Sequence, residues 1–287
     1  MQDGYEPQEY EMMKKLLLLL ILVIASPKIG INMEASNSIA SICNVIKKGV
    51  RFLFIGDSIT DGGWGRSGGK MMSTEERNQK DLNHIYGHSY MMLCAARIQS
   101  DYPEQETLFF NRGISGNTLN ELQQRWQSDC IDLHPDVMTL LVGTNDVDLY
   151  LSGKAPLDIK QWESNYRNLL DQLRSANPNV KIALGTPFVA KVGRIGSAEN
   201  YQQRKELIAT CAKVVRRIAA DYATVLLDYE KMFDELTKQN PSYWVWDGIH
   251  PTAAGHQKMA DLWLSTVINS EYPARPDVAV KTFPKGA

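Results

Sequence analysis

The segment VRFLFIGDSIT, residues 50–60, contains the pattern that first predicts the fold. Its first half is a run of apolar residues, mostly aromatic or β-branched, which is interrupted only by Arg51 and ends at Gly56, and this predicts a buried β-strand. Short polar residues follow at once, from Asp57 to Thr60. Because active sites in open α/β sheets form beyond the carboxyl ends of the strands, this polar turn is the first candidate functional site.

The rest of the chain repeats this alternation of apolar strands and amphipathic helices. Strands that are apolar on both faces and alternate with helices indicate a parallel sheet covered on both sides. We therefore predict an α/β fold, a single doubly wound (flavodoxin-like) domain with about five parallel strands and helices on both faces. A long loop is expected over residues 62–85. The predicted strands are residues 50–55, 107–111, 137–142, 180–184 and 224–227, and the predicted helices are residues 86–100, 118–132, 159–176, 198–222 and 253–269.

Composition fits one globular domain and excludes several classes of function. The chain has 287 residues, of which 44% are apolar and 22% charged, and its formal net charge is −2. Without a basic excess to neutralise phosphates, nucleic acid is not an expected partner. The four cysteines lie far apart and form no CxxC pair, so neither a zinc ribbon nor a redox site is indicated. We expect them to be buried apolar residues, and we expect no metal or cofactor.

The N-terminal region has the pattern of an export signal. Lys14 and Lys15 precede an unbroken apolar run, Leu16–Ala25, as in a secretory signal peptide. The run is too short to cross a bilayer in the mature protein, so no stable membrane insertion is expected. We predict a signal peptide over residues 13–35, cleaved after Ala25 or Ala35, and a periplasmic or secreted protein. A buried N-terminal helix is the alternative.

The remaining boundaries follow from composition. The acidic residues 1–12 are unusual ahead of a signal peptide and are interpreted as a non-native upstream extension. The folded domain is expected over residues 45–272. Residues 273–287 contain three prolines and are expected to form a flexible tail.

Four polar segments fall at the predicted strand ends or just before the last helix. Together they contain a serine, an asparagine and an Asp–His pair, which are the side chains that acyl transfer requires. The segments are residues 56–60, 111–118, 143–146 and 246–251.

These segments resemble the sequence blocks of the SGNH, or GDSL, hydrolase superfamily, in their order and spacing. Within it the chain is similar to the branch of acetylxylan and acetyl-xylo-oligosaccharide esterases. The likeness extends from about Lys48 to Ser270, and the segment between Gly65 and His84 departs from it at a place where a loop would shape the substrate site. The matching stretches are FIGDSITDGG (54–63), NRGISGNTLNELQQRW (111–126), LVGTNDV (141–147), TPF (186–188) and WDGIHPTAAGH (246–256).

The triad is assigned from chemistry and from this resemblance. Ser58 is the expected nucleophile, and it needs an adjacent base to take its proton. His250 is the expected base, and Asp247, three residues earlier, can hold the imidazole in the correct tautomer. The alternatives are a helix N-cap for Ser58 and a surface turn for the Asp–His pair.

The resemblance also implies an oxyanion hole. Its donors would be the backbone N–H groups of Ser58 and Gly113 and the side-chain amide of Asn145. A turn glycine and an Asx-turn are the alternatives for Gly113 and Asn145. Asp57 and Trp246 are expected to bind substrate, with Trp246 as a pocket wall beside the triad. Asp57 is also the alternative carboxylate for His250.

Three other motifs are less consistent with catalysis. Residues 65–69 match G-x-S-x-G but lie within a predicted loop and not between a strand and a helix. His84 and His88 have helical spacing for a metal, but no HExxH glutamate accompanies them. His256, at the start of the last helix, is expected to make a structural hydrogen bond.

The sequence thus predicts an exported serine esterase that removes small acyl groups from a carbohydrate, with acetyl as the expected group. The expected partner is an acetylated oligo- or polysaccharide, and the oligomeric state is left open. The alternatives are a lipolytic esterase or lysophospholipase on the same triad, and a non-catalytic carbohydrate-binding relative that keeps the fold.

Overall fold

The computed structural model describes residues 45–63, 66–67, 70–71 and 86–268. The predicted upstream extension (1–12), the signal peptide (13–35) and the tail (273–287) lie outside the described residues, as does most of the loop expected over 62–85. Within that loop, Arg66–Ser67 and Lys70–Met71 form a short antiparallel pair that the sequence did not predict.

A five-stranded parallel sheet forms the centre of the described residues. Its order is β2-β1-β3-β4-β5, which is the flavodoxin-like order, so the predicted fold class is confirmed. The register places Gly56 opposite both Gly113 and Leu141, and the polar segments that follow these strands therefore meet at one edge. The strands are β1 (Arg51–Gly56), β2 (Leu108–Gly113), β3 (Val137–Leu141), β4 (Lys181–Gly185) and β5 (Val225–Leu227).

Helices pack against the sheet, and alternate side chains of β1 contact them. Phe52 and Phe54 pack against Trp263 of α11, with ring centroids 5.8 and 5.1 Å away, and Phe54 also meets Tyr90 of α2 at 5.7 Å. Leu53 and its alternates point to the other face. The helices are α1 (Ser58–Asp61), α2 (Tyr90–Asp101), α3 (Leu119–Gln124), α4 (Trp126–Asp129), α5 (Thr144–Leu151), α6 (Ile159–Ala176), α7 (Gly193–Gly196), α8 (Tyr201–Asp221), α9 (Tyr229–Leu236), α10 (Pro241–Trp244) and α11 (Ala253–Trp263).

The helix expected over residues 118–132 is instead three short elements. Thr118 and Glu121 form a capping box that starts α3. The helix is interrupted at Arg125, which has φ −112° and ψ 9° and directs its guanidinium into the fold. A 3₁₀ turn, Ile131–Leu133, follows α4.

Other boundaries also shift, and the helices α5 and α9 and the single-turn helices α1, α7 and α10 were not among those predicted. α2 begins at Tyr90 and not near residue 86, because the Ser89 hydroxyl caps it by accepting the Met91 N–H at 3.3 Å. The last helix ends at Trp263 and continues as a π-turn, Leu264–Ile268. No helix among the described residues has the length and apolar character needed to cross a membrane.

The described cysteines behave as predicted. Cys94, Cys130 and Cys211 are buried and unpaired, in the core of the domain. Cys43 lies outside the described residues.

Candidate active site

Ser58 is held at the carboxyl end of β1 by the turn that leads into α1. Gly56 is required there, because a Cβ atom at this position would lie 2.2 Å from the carbonyl oxygen of Leu141 on β3. Asp57 caps the helix, since its carboxylate accepts the N–H of Ile59 at 3.0 Å. Ser58 is therefore the first helical residue, at the sheet edge where active sites of this fold form.

Ser58, His250 and Asp247 form one hydrogen-bonded chain. The Oγ of Ser58 lies 2.8 Å from Nε2 of His250, and Nδ1 of the same imidazole lies 2.9 Å from Oδ2 of Asp247. With the proton on Nδ1, the Nε2 atom is free to accept the serine proton. This is the arrangement that activates a hydroxyl group for acyl transfer.

The carboxylate of Asp247 is buried and hydrogen-bonded at both oxygens. Its Oδ1 accepts the backbone N–H groups of Ile249 at 3.0 Å and His250 at 2.8 Å. Burial by itself would raise the pKa of Asp247, but these hydrogen bonds and the adjacent imidazole outweigh it and hold the pKa below its usual value. Asp247 therefore stays ionised and can stabilise an imidazolium without exchanging protons itself.

Gly113 is not placed to serve as an oxyanion donor, and the expectation for it is wrong. Its N–H donates to Oδ1 of Asn111 at 2.9 Å, and a Cβ atom on it would lie 2.2 Å from the backbone nitrogen of Asp61. The Asn111 amide in turn donates to the carbonyl oxygens of Thr60 and Asp61, both at 3.1 Å. Gly113 thus permits the close approach of β2 and α1, which is a structural role.

Gly116, in the same loop, has the properties that an oxyanion donor needs. It is exposed, its φ is +85°, a Cβ atom there would meet nothing within 4 Å, and its N–H has no acceptor among the described residues. The Asn145 amide donates to the carbonyl oxygen of Asn117 at 3.0 Å and so lies beside this loop. The N–H of Ser58 also lacks an acceptor in the described part of the chain. The turn sequence Ser115-Gly116-Asn117, which favours positive φ, is the signal that could have identified Gly116.

Arg125 joins the two loops that carry these groups. Its Nε donates to Oδ1 of Asn117 at 2.8 Å, and its Nη2 donates to the carbonyl oxygen of Gly56 at 3.2 Å. Its Nη1 pairs with the buried carboxylate of Asp129 at 2.8 Å. The role of Arg125 is not visible in the sequence, because Gly56 lies 69 positions away along the chain.

Asp57 is not placed to bind substrate, which corrects the second expectation for this site. Its side chain is 1% exposed and is used to cap α1. Burial raises the pKa of Asp57 to about 7, and the carboxylates of Asp146 and Asp61 add to the rise. Asp57 is also not the carboxylate that supports His250, since Asp247 occupies Nδ1 of that imidazole.

Trp246 is an exposed aromatic residue next to the triad. Its side chain is 63% exposed, and its ring lies 6.3 Å from the imidazole of His250 with an angle of 28° between the planes. An exposed indole beside the base offers a flat apolar surface to a bound molecule.

His256 has the structural role that was predicted. It is buried, and its Nδ1 accepts the backbone N–H of Tyr90 at 3.2 Å, which ties α11 to α2. Burial lowers the pKa of His256 to about 4, with a smaller contribution from the imidazoles of His88 and His250. His256 is therefore uncharged near neutral pH.

Among the described residues, the other motifs give no second site. His84 and most of the segment 65–69 lie outside the described residues. In the part of the chain that the structure describes, no group of three or more His, Cys, Asp or Glu side chains is arranged to hold a metal ion.

Comparison with known proteins identifies the family of this chain. The model of the GDSL-like lipase/acylhydrolase family matches residues 54–258. The chain belongs to this family. The matched region runs from β1 into α11 and includes Ser58, Asp247 and His250. As a GDSL-family enzyme, the protein is a carboxylic ester hydrolase.

Two curated relatives and a crystal structure support the assignment to the GDSL family. The chain is 31% identical to an acetylxylan esterase of Geobacillus stearothermophilus over 228 residues, which are 77% of this chain and 95% of the relative. It is 30% identical to a multidomain esterase of Ruminococcus flavefaciens over 170 residues, 54% of this chain and 20% of that protein. The crystal structure of Axe2, an acetylxylan esterase from Geobacillus stearothermophilus, matches with a TM-score of 0.63 and 30% identity, over 78% of this chain and 96% of Axe2.

Proposed function

We propose that this esterase removes acetyl groups from a carbohydrate through an acyl-enzyme intermediate. The observation that carries the proposal is the chain of hydrogen bonds from Ser58 through His250 to Asp247, with the exposed ring of Trp246 beside it. The acetylxylan esterases among the relatives support acetylated carbohydrate as the substrate class.

The mechanism has two steps. Ser58 attacks the acetyl carbonyl while Nε2 of His250 takes its proton, and the sugar alcohol then leaves with that proton. Water activated by the same imidazole attacks the acetyl-enzyme, and acetate is released. Asp247 orients the imidazole and stabilises its charged form in both steps.

The oxyanion would be held by three donors: the N–H groups of Ser58 and Gly116 and the side-chain amide of Asn145. The assignment of Gly116 rests on its open surroundings and on the N–H it leaves available among the described residues. Loss of one such donor typically costs about 2.7–4 kcal/mol of transition-state stabilisation. Asn145→Ala is therefore expected to lower kcat by about 100- to 1000-fold.

The test of the reaction class is the activity of Ser58→Ala on a series of p-nitrophenyl esters and on acetylated polysaccharides. The wild type should prefer the acetate ester and release acetate from polysaccharide, and Ser58→Ala should lose both activities while remaining folded. Ser100→Ala, an exposed serine on α2, is the matched control. A preference for long acyl chains would indicate a lipolytic enzyme instead, and binding without turnover would indicate a carbohydrate-binding protein.

Trp246 is proposed to stack on the sugar ring, since aromatic faces pack on the apolar faces of sugars. Trp246→Ala should raise KM for an acetylated oligosaccharide more than KM for p-nitrophenyl acetate. Tyr150→Ala, which removes another exposed aromatic ring on α5, should change neither KM. An equal loss on both substrates would assign Trp246 to the acyl site and not to the sugar.

We also propose that the protein is exported, on the basis of Lys14, Lys15 and the apolar run Leu16–Ala25. N-terminal sequencing of the native protein should find a start after Ala25 or Ala35. A native protein that begins at Met1 or Met13 would contradict this.

A further inference from the structure

The carboxylate of Asp247 has a second cationic partner besides the imidazole. Nη2 of Arg194 donates to Oδ2 of Asp247 at 3.3 Å, and the same oxygen bonds Nδ1 of His250 at 2.9 Å. Oδ1 is already occupied by two backbone N–H groups. The guanidinium and the imidazole therefore share one carboxylate oxygen.

The backbone around Arg194 is seated directly on the turn that carries Asp247. The N–H of Ile195 donates to the carbonyl oxygen of Asp247 at 3.1 Å. Gly193 has a φ of +58°, and a Cβ atom there would lie 2.6 Å from Cα of Asp247, so no other residue fits without a shift. This packing fixes the start of the Arg194 side chain, although the side chain itself is 62% exposed.

We propose that Arg194 is a positioning residue whose guanidinium draws part of the negative charge of Asp247 away from His250 and so tunes the base of the triad. The inference rests on the role proposed above for the Ser58–His250–Asp247 chain. A carboxylate close to an imidazole stabilises its charged form. A guanidinium on the same carboxylate oxygen weakens that stabilisation.

Other groups near His250 do not act in this way. Ser58 bonds the opposite ring nitrogen, and the indole of Trp246 is uncharged. His256 interacts electrostatically with His250 and His88, but burial lowers the pKa of His256 to about 4, so this imidazole is uncharged near neutral pH. Among the described residues, Arg194 is thus the permanently charged side chain that bonds to the Asp247–His250 pair.

The size of the effect follows from the exposure of Arg194. Water and salt screen an exposed ion pair, so the guanidinium changes the interaction between Asp247 and His250 only modestly. We expect its removal to move the acidic limb of the pH profile upward by about 0.2 to 0.7 pH unit.

The experiment compares kcat/KM against pH for the wild type and three variants, with p-nitrophenyl acetate as substrate. Arg194→Lys should keep the position of the acidic limb, Arg194→Gln should move it to higher pH, and Arg194→Glu should move it further. The high-pH plateau should stay within about twofold of the wild type, because the base is then deprotonated in every variant. Lys191→Gln is the matched control, since the ammonium of this nearby lysine lies over the ring of Tyr201.

A second readout separates this inference from the function on which it rests. An NMR titration of the His250 ring in the wild type and in Arg194→Gln, without substrate, should show the same upward shift. If the wild type turned over no ester, the proposed function would fail while the titration still measured the effect of Arg194. Identical acidic limbs and titrations in the Lys, Gln and Glu variants would overturn the inference. A rise in KM at every pH without movement of the limb would assign Arg194 to substrate binding instead.

Discussion

Replacement of Asp57 by asparagine measures the electrostatic cost of the buried carboxyl group behind the nucleophile. Asp57 is 1% exposed, and burial raises its pKa from 3.8 to about 7. Between about pH 4 and 7 the folded protein therefore binds more protons than the unfolded chain, and wild-type stability falls as pH rises through this window. A rise of about three pKa units corresponds to a cost of at most about 4 kcal/mol above pH 7.

Asp57→Asn keeps a side-chain oxygen for the N–H of Ile59 but removes the titration. Any cost of the amide that does not depend on pH cancels when the two proteins are compared at two pH values. Denaturant unfolding should therefore show the variant gaining about 3 kcal/mol relative to the wild type between pH 5 and pH 8. Asp132→Asn, at an exposed carboxyl group, is the control and should show no such gain. A stability difference between Asp57→Asn and wild type that stays constant with pH would refute the burial argument.

Three further predictions concern the triad and its supports. His250→Ala should lower kcat nearly as much as Ser58→Ala, whereas Asp247→Ala should lower it less, and the effects of the Asp247 and His250 substitutions should be far from additive in the double variant. A kcat of Asp247→Asn within about threefold of the wild type would contradict this assignment. Arg125→Lys should lower kcat by about tenfold with little change in KM, because one ammonium group cannot bond the loops of Gly56 and Asn117 at once. An unchanged kcat would mean that other contacts hold these loops. His256→Gln keeps an acceptor for the N–H at the start of α2 but does not titrate. Because burial lowers the pKa of His256 in the folded protein to about 4, the free energy of unfolding of the wild type should fall by about 3 kcal/mol relative to that of the variant between pH 7 and pH 4. Equal acid sensitivity of the two proteins in denaturant unfolding would exclude this.

The sheet could be predicted from the sequence because its signal is local. Strands buried on both faces are continuous apolar runs, and each of the five runs lies within two residues of the observed strand bounds. Helices that begin with polar residues typical of loops were predicted less well. α5 begins with Thr144-Asn145-Asp146, and the structure shows that Asp146 is held there by the N–H of Leu119 at 3.1 Å, a contact that local periodicity does not contain.

The triad residues were also accessible from sequence, since their type, order and position at strand ends restrict the choice. Ser58 follows β1 directly, and Asp247 and His250 share one short turn. Their mutual distances were not accessible, because Ser58 and His250 are 192 positions apart.

The tertiary structure decided which backbone and side-chain groups are already engaged. Gly113 and Gly116 lie in the same polar segment, but only the fold shows that the N–H of Gly113 already donates to Asn111. In the same way, only the fold reveals that Asp57 is buried and that Arg194 shares the carboxylate of Asp247. The physical reason is that apolar periodicity depends on neighbours two to four residues away, whereas burial and hydrogen-bond partnership depend on segments that meet only when the chain has folded.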